Sequence, residues 1–122
     1  MQTPKPIILD TSFLLFALKQ KIDFYAELRR IIDTNFKLYI VDKQVPELEK
    51  RELGKLALKL LKHYKASIIK TTSKKSVDDL ILEQALAKDA YVATQDRKLK
   101  KKLKEHNIKT ITVRQKSYLD FG

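Results

Sequence analysis

Four acidic residues, Asp10, Glu47, Asp78 and Asp96, stand where chemistry could be done. The first closes the apolar run Ile7-Ile8-Leu9 and is followed at once by two hydroxyls, Thr11 and Ser12. Glu47 follows Val45-Pro46, Asp78 follows Ser76-Val77, and Asp96 lies two residues beyond Thr94, where Tyr91-Val92-Ala93-Thr94 ends. Carboxylates gathered in an enclosed site repel one another unless cations neutralise them. Donors made only of oxygen suit Mg²⁺ or Mn²⁺, which keep several waters and bind through a few carboxylates plus substrate phosphate. One or two such ions activate water for attack at phosphorus and stabilise the leaving oxygen. The chemistry implied is phosphodiester hydrolysis.

Each acid also has a plainer use. Asp10 could cap the helix that follows, although Ser12 is available for that. Glu47 suits the start of any helix, where the dipole favours negative charge, and Glu49 and Glu52 are nearby competitors. Asp79, three residues after Ser76, can reach back to the Ser76 amide as in a capping box. That leaves Asp78, about 100° away around the helix, free to face a site. Asp96 could cap the last helix. Thr94 could orient a carboxylate or a metal-bound water. His63 and His106 have no partner at ligand spacing, and no cysteine is present to bind metal or form a disulfide.

The acids meet only if the fold brings them together. Ile7–Leu9, Leu38–Val41, Ser67–Ile69, Tyr91–Thr94 and Ile108–Val113 read as short buried strands, several apolar throughout. Helical spacing fills the intervals: 12–18, 23–33, a helix begun by Pro46 at its first position, 76–86 and a lysine-rich helix ending near Glu105. Beyond Gly54, which should interrupt its helix, Leu53, Leu56, Ala57, Leu60, Leu61 and Tyr64 form one apolar face. The polar stretch Thr71–Lys75 is the clearest loop, and the tail Tyr118–Phe121 is expected to pack back only weakly. Strands alternating with helices imply an α/β fold, a parallel sheet of four or five strands covered on both faces. In such a sheet the carboxyl ends of all parallel strands share one edge, where residues distant in sequence converge.

Composition bounds the partners. At 122 residues the chain fits one domain spanning 1–122. Its formal charge of +11 makes a polyanion a natural partner, because Lys and Arg release counterions when they neutralise phosphates. Lys98, Lys100, Lys101, Lys102 and Lys104 follow Asp96 closely and could contact a nucleic-acid backbone beside the acids, or simply form a solvated face. Gly-rich phosphate loops are absent, which argues against a nucleotide cofactor. No apolar run approaches the length that spans a bilayer, so no membrane association and a cytoplasmic protein are expected.

Taken together, Ile8-Leu9-Asp10-Thr11-Ser12-Phe13-Leu14-Leu15, Val45-Pro46-Glu47-Leu48-Glu49-Lys50, Val77-Asp78-Asp79-Leu80-Ile81-Leu82 and Val92-Ala93-Thr94-Gln95-Asp96-Arg97-Lys98-Leu99-Lys100 resemble, in order and spacing, the four acidic motifs of the PIN domain family. The similarity is greatest to the ribosomal-RNA-processing PIN nucleases of archaea and eukaryotes, with VapC-type toxin nucleases next. The resemblance implies a three-layer α/β/α sandwich and a divalent-metal-dependent endoribonuclease. It places the family's acids on Asp10, Glu47, Asp78 and Asp96, which implies Asp10, Asp78 and Asp96 holding metal and Glu47 completing the site or positioning water. It adds Asp79, a second acid of the processing subgroup, as a further candidate metal ligand, and puts Ser12 and Thr94 on small polar positions beside them. Pro46 directly before Glu47 departs from the pattern.

RNA is thus the expected substrate, with Mg²⁺ or Mn²⁺ as cofactor. A second copy of the chain, a ribosome-assembly factor or an antitoxin is the kind of partner the resemblance suggests. A basic RNA-binding module with a non-catalytic acidic site is the alternative from another class. An aspartyl phosphotransferase fits less well, since Asp10 is followed by Thr11-Ser12 rather than by an aspartate two positions on.

Overall fold

Side-chain alternation along the first strand sends Ile7 and Leu9 into one core and Ile8 into another, and all three are fully buried. That split defines three layers. The computed structural model describes residues 3–122. Its elements are β1 (Lys5–Leu9), α1 (Thr11–Lys19), α2 (Phe24–Ile31), β2 (Phe36–Val41), α3 (Gln44–Glu49), α4 (Glu52–His63), β3 (Ser67–Ile69), α5 (Val77–Lys88), β4 (Tyr91–Ala93), α6 (Arg97–Glu105), β5 (Thr110–Arg114) and β6 (Tyr118–Phe121). On one face Phe13, Leu14, Phe24, Leu28, Leu48, Ala57 and Leu61 cover Ile7, Leu9, Leu38 and Ile40. On the other, Leu80, Ile81 and Ala85 of α5 with Leu99 and Leu103 of α6 cover Ile8, Val41 and Val92. Each full burial of such a side chain contributes roughly 1.5–3 kcal/mol.

The strand order is β3-β2-β1-β4-β5-β6. The first five strands are parallel, as expected, and β6 adds an antiparallel edge to β5. The tail therefore does more than pack weakly. Leu119 is fully buried, its amide donates to Glu27 Oε1 at 2.9 Å, and its carbonyl accepts from Arg30 Nη2 at 2.7 Å. Paired with Glu27 on α2, Arg30 keeps that carboxyl below the usual range.

Three local expectations change. Ser12 lies inside α1, and Asp10 takes the capping position without a side-chain capping bond. Pro46 is the third residue of α3 rather than the first, still within the turn whose amides lack helical partners. The helix break falls at Lys50 and Arg51, and Gly54 sits inside α4 for another reason. A Cβ there would stand 1.9 Å from the Leu48 carbonyl oxygen, so only glycine lets the end of α3 rest on α4. On α5, Leu80, Ile81 and Ala85 are buried and Leu86 is exposed.

The order of strands matters for function. From β1 the chain adds β2 and β3 on one side and, after α5, β4 and β5 on the other. Ligands in open α/β sheets bind beyond the carboxyl ends of the strands, where the order reverses. Here that crevice opens between β1 and β4.

Candidate functional site

Leu9 stands opposite Ala93 in the β1–β4 pairing, so the next residues, Asp10 and Thr94, arrive level at the crevice. The Asp10 amide donates to the Ala93 carbonyl at 2.9 Å, and the side chain is nearly buried. Its Oδ2 accepts from Ser12 Oγ at 2.6 Å and from Thr94 Oγ1 at 2.7 Å. Both hydroxyls are held from behind: the Asp96 amide donates to Thr94 Oγ1 at 3.0 Å and the Gln95 amide to Ser12 Oγ at 3.2 Å. A hydroxyl has one proton, and accepting from an amide helps direct it; here both protons go to Asp10. The carboxylate is thereby fixed through one oxygen. Among the described residues nothing donates to Oδ1, which is left for a ligand.

Asp96 ends the same loop. Its Oδ1 accepts from the Lys98 amide at 2.8 Å and the Leu99 amide at 3.2 Å, so it does cap α6, with one oxygen. The lysine-rich helix is thus started by the residue that also faces the crevice. Asp78, in the first turn of α5, is half-buried, and its carboxyl is pushed above the usual range, first by burial and then by the negative charges of Asp10 and Asp96. That coupling places Asp78 in the field of the other two acids. Its neighbour turns away: Asp79 accepts from Lys102 Nζ at 3.2 Å, which with Ser76 holds its carboxyl low. Ser76 Oγ accepts from the Asp79 amide at 3.2 Å, but the reciprocal side-chain bond of a capping box is not among the described contacts. The Asp79 carboxylate is thus paired with Lys102 of α6.

Glu47 stands at the rim, exposed, and accepts from Thr11 Oγ1 at 3.3 Å. The residue that brings α3 there is Gln44, which sequence reading missed. Fully buried, it accepts from the Val41 amide at 2.8 Å and donates to the Leu9 carbonyl at 2.9 Å and Thr11 Oγ1 at 3.2 Å. It bridges the ends of β1 and β2. Asp42 was also passed over, though it follows Val41 as Asp10 follows Leu9. Its carboxylate is engaged by the Thr71 amide at 3.0 Å and Thr71 Oγ1 at 2.7 Å, bonds that lower its pKa and tie down the loop before α5. Gln95 Oε1 likewise accepts from Thr112 Oγ1 and the Val113 amide, both at 2.7 Å, anchoring the Asp96 loop to β5. Only a glutamine or aspartate just past a strand end would have signalled such braces.

The lysine run divides into separate environments. Lys98, Lys101 and Lys104 are exposed, Lys102 pairs with Asp79, and Lys100 donates to Thr112 Oγ1 at 2.7 Å. The Lys100 ammonium is depressed by burial and then by Arg114, Lys104 and Arg97, a concentration of like charge on one face of α6. His63 packs edge-on to Tyr64 and His106 bonds the Lys102 carbonyl, so neither faces the acids.

Among the described residues no three acids or histidines form a ready-made ligand cage. The donor set nevertheless fits a hard divalent cation in kind. Asp10, Asp78 and Asp96 supply only oxygens, and the raised Asp78 carboxyl registers negative charge that a cation would relieve.

A family model described as a PIN like domain matches residues 7–116. Ribonuclease VapC4 of Methanocaldococcus jannaschii is 39% identical over 129 aligned positions, covering 95% of this chain and 96% of that protein. The rRNA-processing protein fcf1 of Schizosaccharomyces pombe is 31% identical over 105 positions, which are 84% of this chain but 55% of that relative's length. The structure of the PIN domain endonuclease Utp24 superposes with a TM-score of 0.84 at 27% identity, covering 97% of this chain and 91% of the other. A domain of a functionally unknown Methanocaldococcus jannaschii protein shares the fold alone, with a TM-score of 0.60 at 16% identity over 90% of this chain and 91% of the other.

Proposed function

The chain belongs to the PIN-like domain family, and from that premise we propose that residues 1–122 form one nuclease domain that cleaves RNA internally by hydrolysis with Mg²⁺ or Mn²⁺. The observation that carries this reading is the arrival of Asp10 beside Thr94 at the β1–β4 crevice, with Ser12 and Thr94 both donating to its carboxylate and the Asp96 amide held on Thr94. Two relatives, named as a ribonuclease and as an rRNA-processing protein, support RNA as the substrate and its processing as the setting.

Asp10, Asp78 and Asp96 would hold the cation, which when bound supplies charge neutralisation at phosphate and a water of lowered pKa. Asp10 is oriented by the hydroxyls of Ser12 and Thr94, which donate to one oxygen and leave the other without a donor among the described residues. Glu47, braced by Thr11, stands where an acceptor can orient the attacking water. Hydrolysis then adds water across one phosphodiester bond and leaves a phosphomonoester and a hydroxyl end. Lys98, Lys101 and Lys104 draw the backbone toward the edge without reading its sequence.

The test is single-turnover cleavage of end-labelled RNA across a Mg²⁺ or Mn²⁺ titration. Internal cleavage should rise with metal and stop in EDTA. RNA that is bound but never cut at any metal concentration would favour the binding-module alternative.

A further inference from the structure

The apolar face of α4 is wider than its neighbours cover. Ala57 and Leu61 point into the core, whereas Leu53 and Leu56 are 36% and 44% exposed. Leu53 forms one wall of a groove of about 490 Å³ whose opposite side is Leu15 and Phe16 of α1, both half-buried. Lys19 and Arg51 stand on the rim, and neither is ion-paired among the described residues. Glu52 also borders the groove, with its carboxylate engaged by Lys55 at 3.3 Å. At the inner end lies Ser12, whose hydroxyl donates to Asp10.

We propose that this groove between α1 and α4 receives an unpaired nucleobase of the RNA strand cut at the acidic edge, an inference that rests on the nuclease reading. Three features select that occupant. An aromatic ring beside two leucines offers a flat apolar surface, and bases stack on such rings whatever their identity. Two unpaired cations on the rim complement the phosphates on either side of a base. Continuity supplies the third feature: Ser12 belongs both to the groove and to the hydrogen-bond set that fixes Asp10, so a strand lying across Asp10 leads directly into it. A base within an A-form duplex keeps its faces stacked and cannot enter, so the groove selects single-stranded segments. A second copy of the chain docking here face to face would bring two sets of Lys19 and Arg51 together in an already strongly cationic protein.

The experiment uses the full chain carrying Asp10→Asn, so that RNA is bound and not consumed, and a short RNA with a single 2-aminopurine as the probe. The probe's fluorescence should change on binding as the base leaves solvent. Adding Leu53→Asp should abolish that change and weaken binding about tenfold. Leu86→Asp, on the opposite layer and also exposed, should do neither. Annealing the complementary strand should remove the response. Arg51→Gln, an exposed change just before α4, provides a second variant should Leu53→Asp unfold, and it too should weaken binding of the single strand.

Unchanged affinity and fluorescence in folded Leu53→Asp, or in Arg51→Gln if Leu53→Asp unfolds, would overturn the proposal. So would a molar mass by light scattering that doubles in the parent and halves with Leu53→Asp, since the groove would then be covered by another copy. The two readings separate in the protein with Asp10 intact. If it cleaves RNA and Leu53→Asp cleaves the same single strand with the same KM, the groove proposal falls and the nuclease reading stands. Failure of that protein to cut any RNA removes both.

Discussion

Asp10 and Glu47 lie on the same edge of the sheet and are held in opposite ways. Asp10, at the crevice between β1 and β4, is 6% exposed and receives two hydroxyl protons on one oxygen. Glu47, in the first turn of a six-residue helix, is exposed and has one 3.3 Å bond to Thr11. Asp78 has no side-chain hydrogen bond among the described residues, but it shares the field of the inner acids. The difference separates positions fixed by the fold itself from rim positions that can adjust to a ligand. Catalytic sites need both, a preorganised centre and groups that close around the substrate.

The contrast is tested most severely at its centre. Asp10→Asn keeps shape while removing charge, and cleavage should fall about a hundredfold or more with the fold intact by circular dichroism. Asp96→Asn should match it, since asparagine still accepts from the Lys98 and Leu99 amides and α6 stays capped. Thr94→Val leaves every acid in place but removes a buried donor to Asp10. Activity should drop about 10–100-fold, and denaturant unfolding should show a loss of about 1–3 kcal/mol. Glu47→Gln should cost only about tenfold in rate, the lower end for a supporting group, with stability unchanged. If Glu47→Gln were as damaging as Asp10→Asn, the division into fixed centre and adjustable rim would be wrong.

The smallest effect concerns pH. The Asp78 carboxyl is raised in the folded state, so between the usual carboxylate range and its raised value the folded protein holds more protons than the unfolded chain. Stability contributed this way is present at low pH and is lost as pH rises through that window. In EDTA, Asp78→Asn should therefore melt slightly higher than the wild type at neutral pH. The gap should close as the pH falls below the usual carboxylate range. A gap that widens on acidification would show that Asp78 is not in the field of Asp10 and Asp96.

Much of this was legible in the residue order because apolar runs ending in carboxylates report strand ends directly. Ile7–Leu9 followed by Asp10, and Tyr91–Thr94 followed by Asp96, sufficed to locate the crevice. Helical geometry set Asp78 and Asp79 on different faces, and the structure pairs Asp79 with Lys102 without completing a capping box among the described contacts. What was not legible depended on long-range packing. Gln44 looks like any polar helix residue until the ends of β1 and β2 are seen to need bridging. Gly54 reads as a helix breaker until the Leu48 carbonyl is found against it. The tail became a strand because β5 had an open edge and Glu27 with Arg30 waited beside it, contacts separated by 92 and 89 residues.

Paramagnetic broadening by Mn²⁺ in a two-dimensional amide NMR spectrum tests the central claim most directly, because it locates the ion without relying on activity. Amides of Asp10 to Ser12, Gln95 to Arg97 and Val77 to Asp79 should fade first and together, and in Asp10→Asn the same fading should require much more metal. Broadening that begins elsewhere, or that proceeds identically in Asp10→Asn, would contradict the claim that these acids form one cation site.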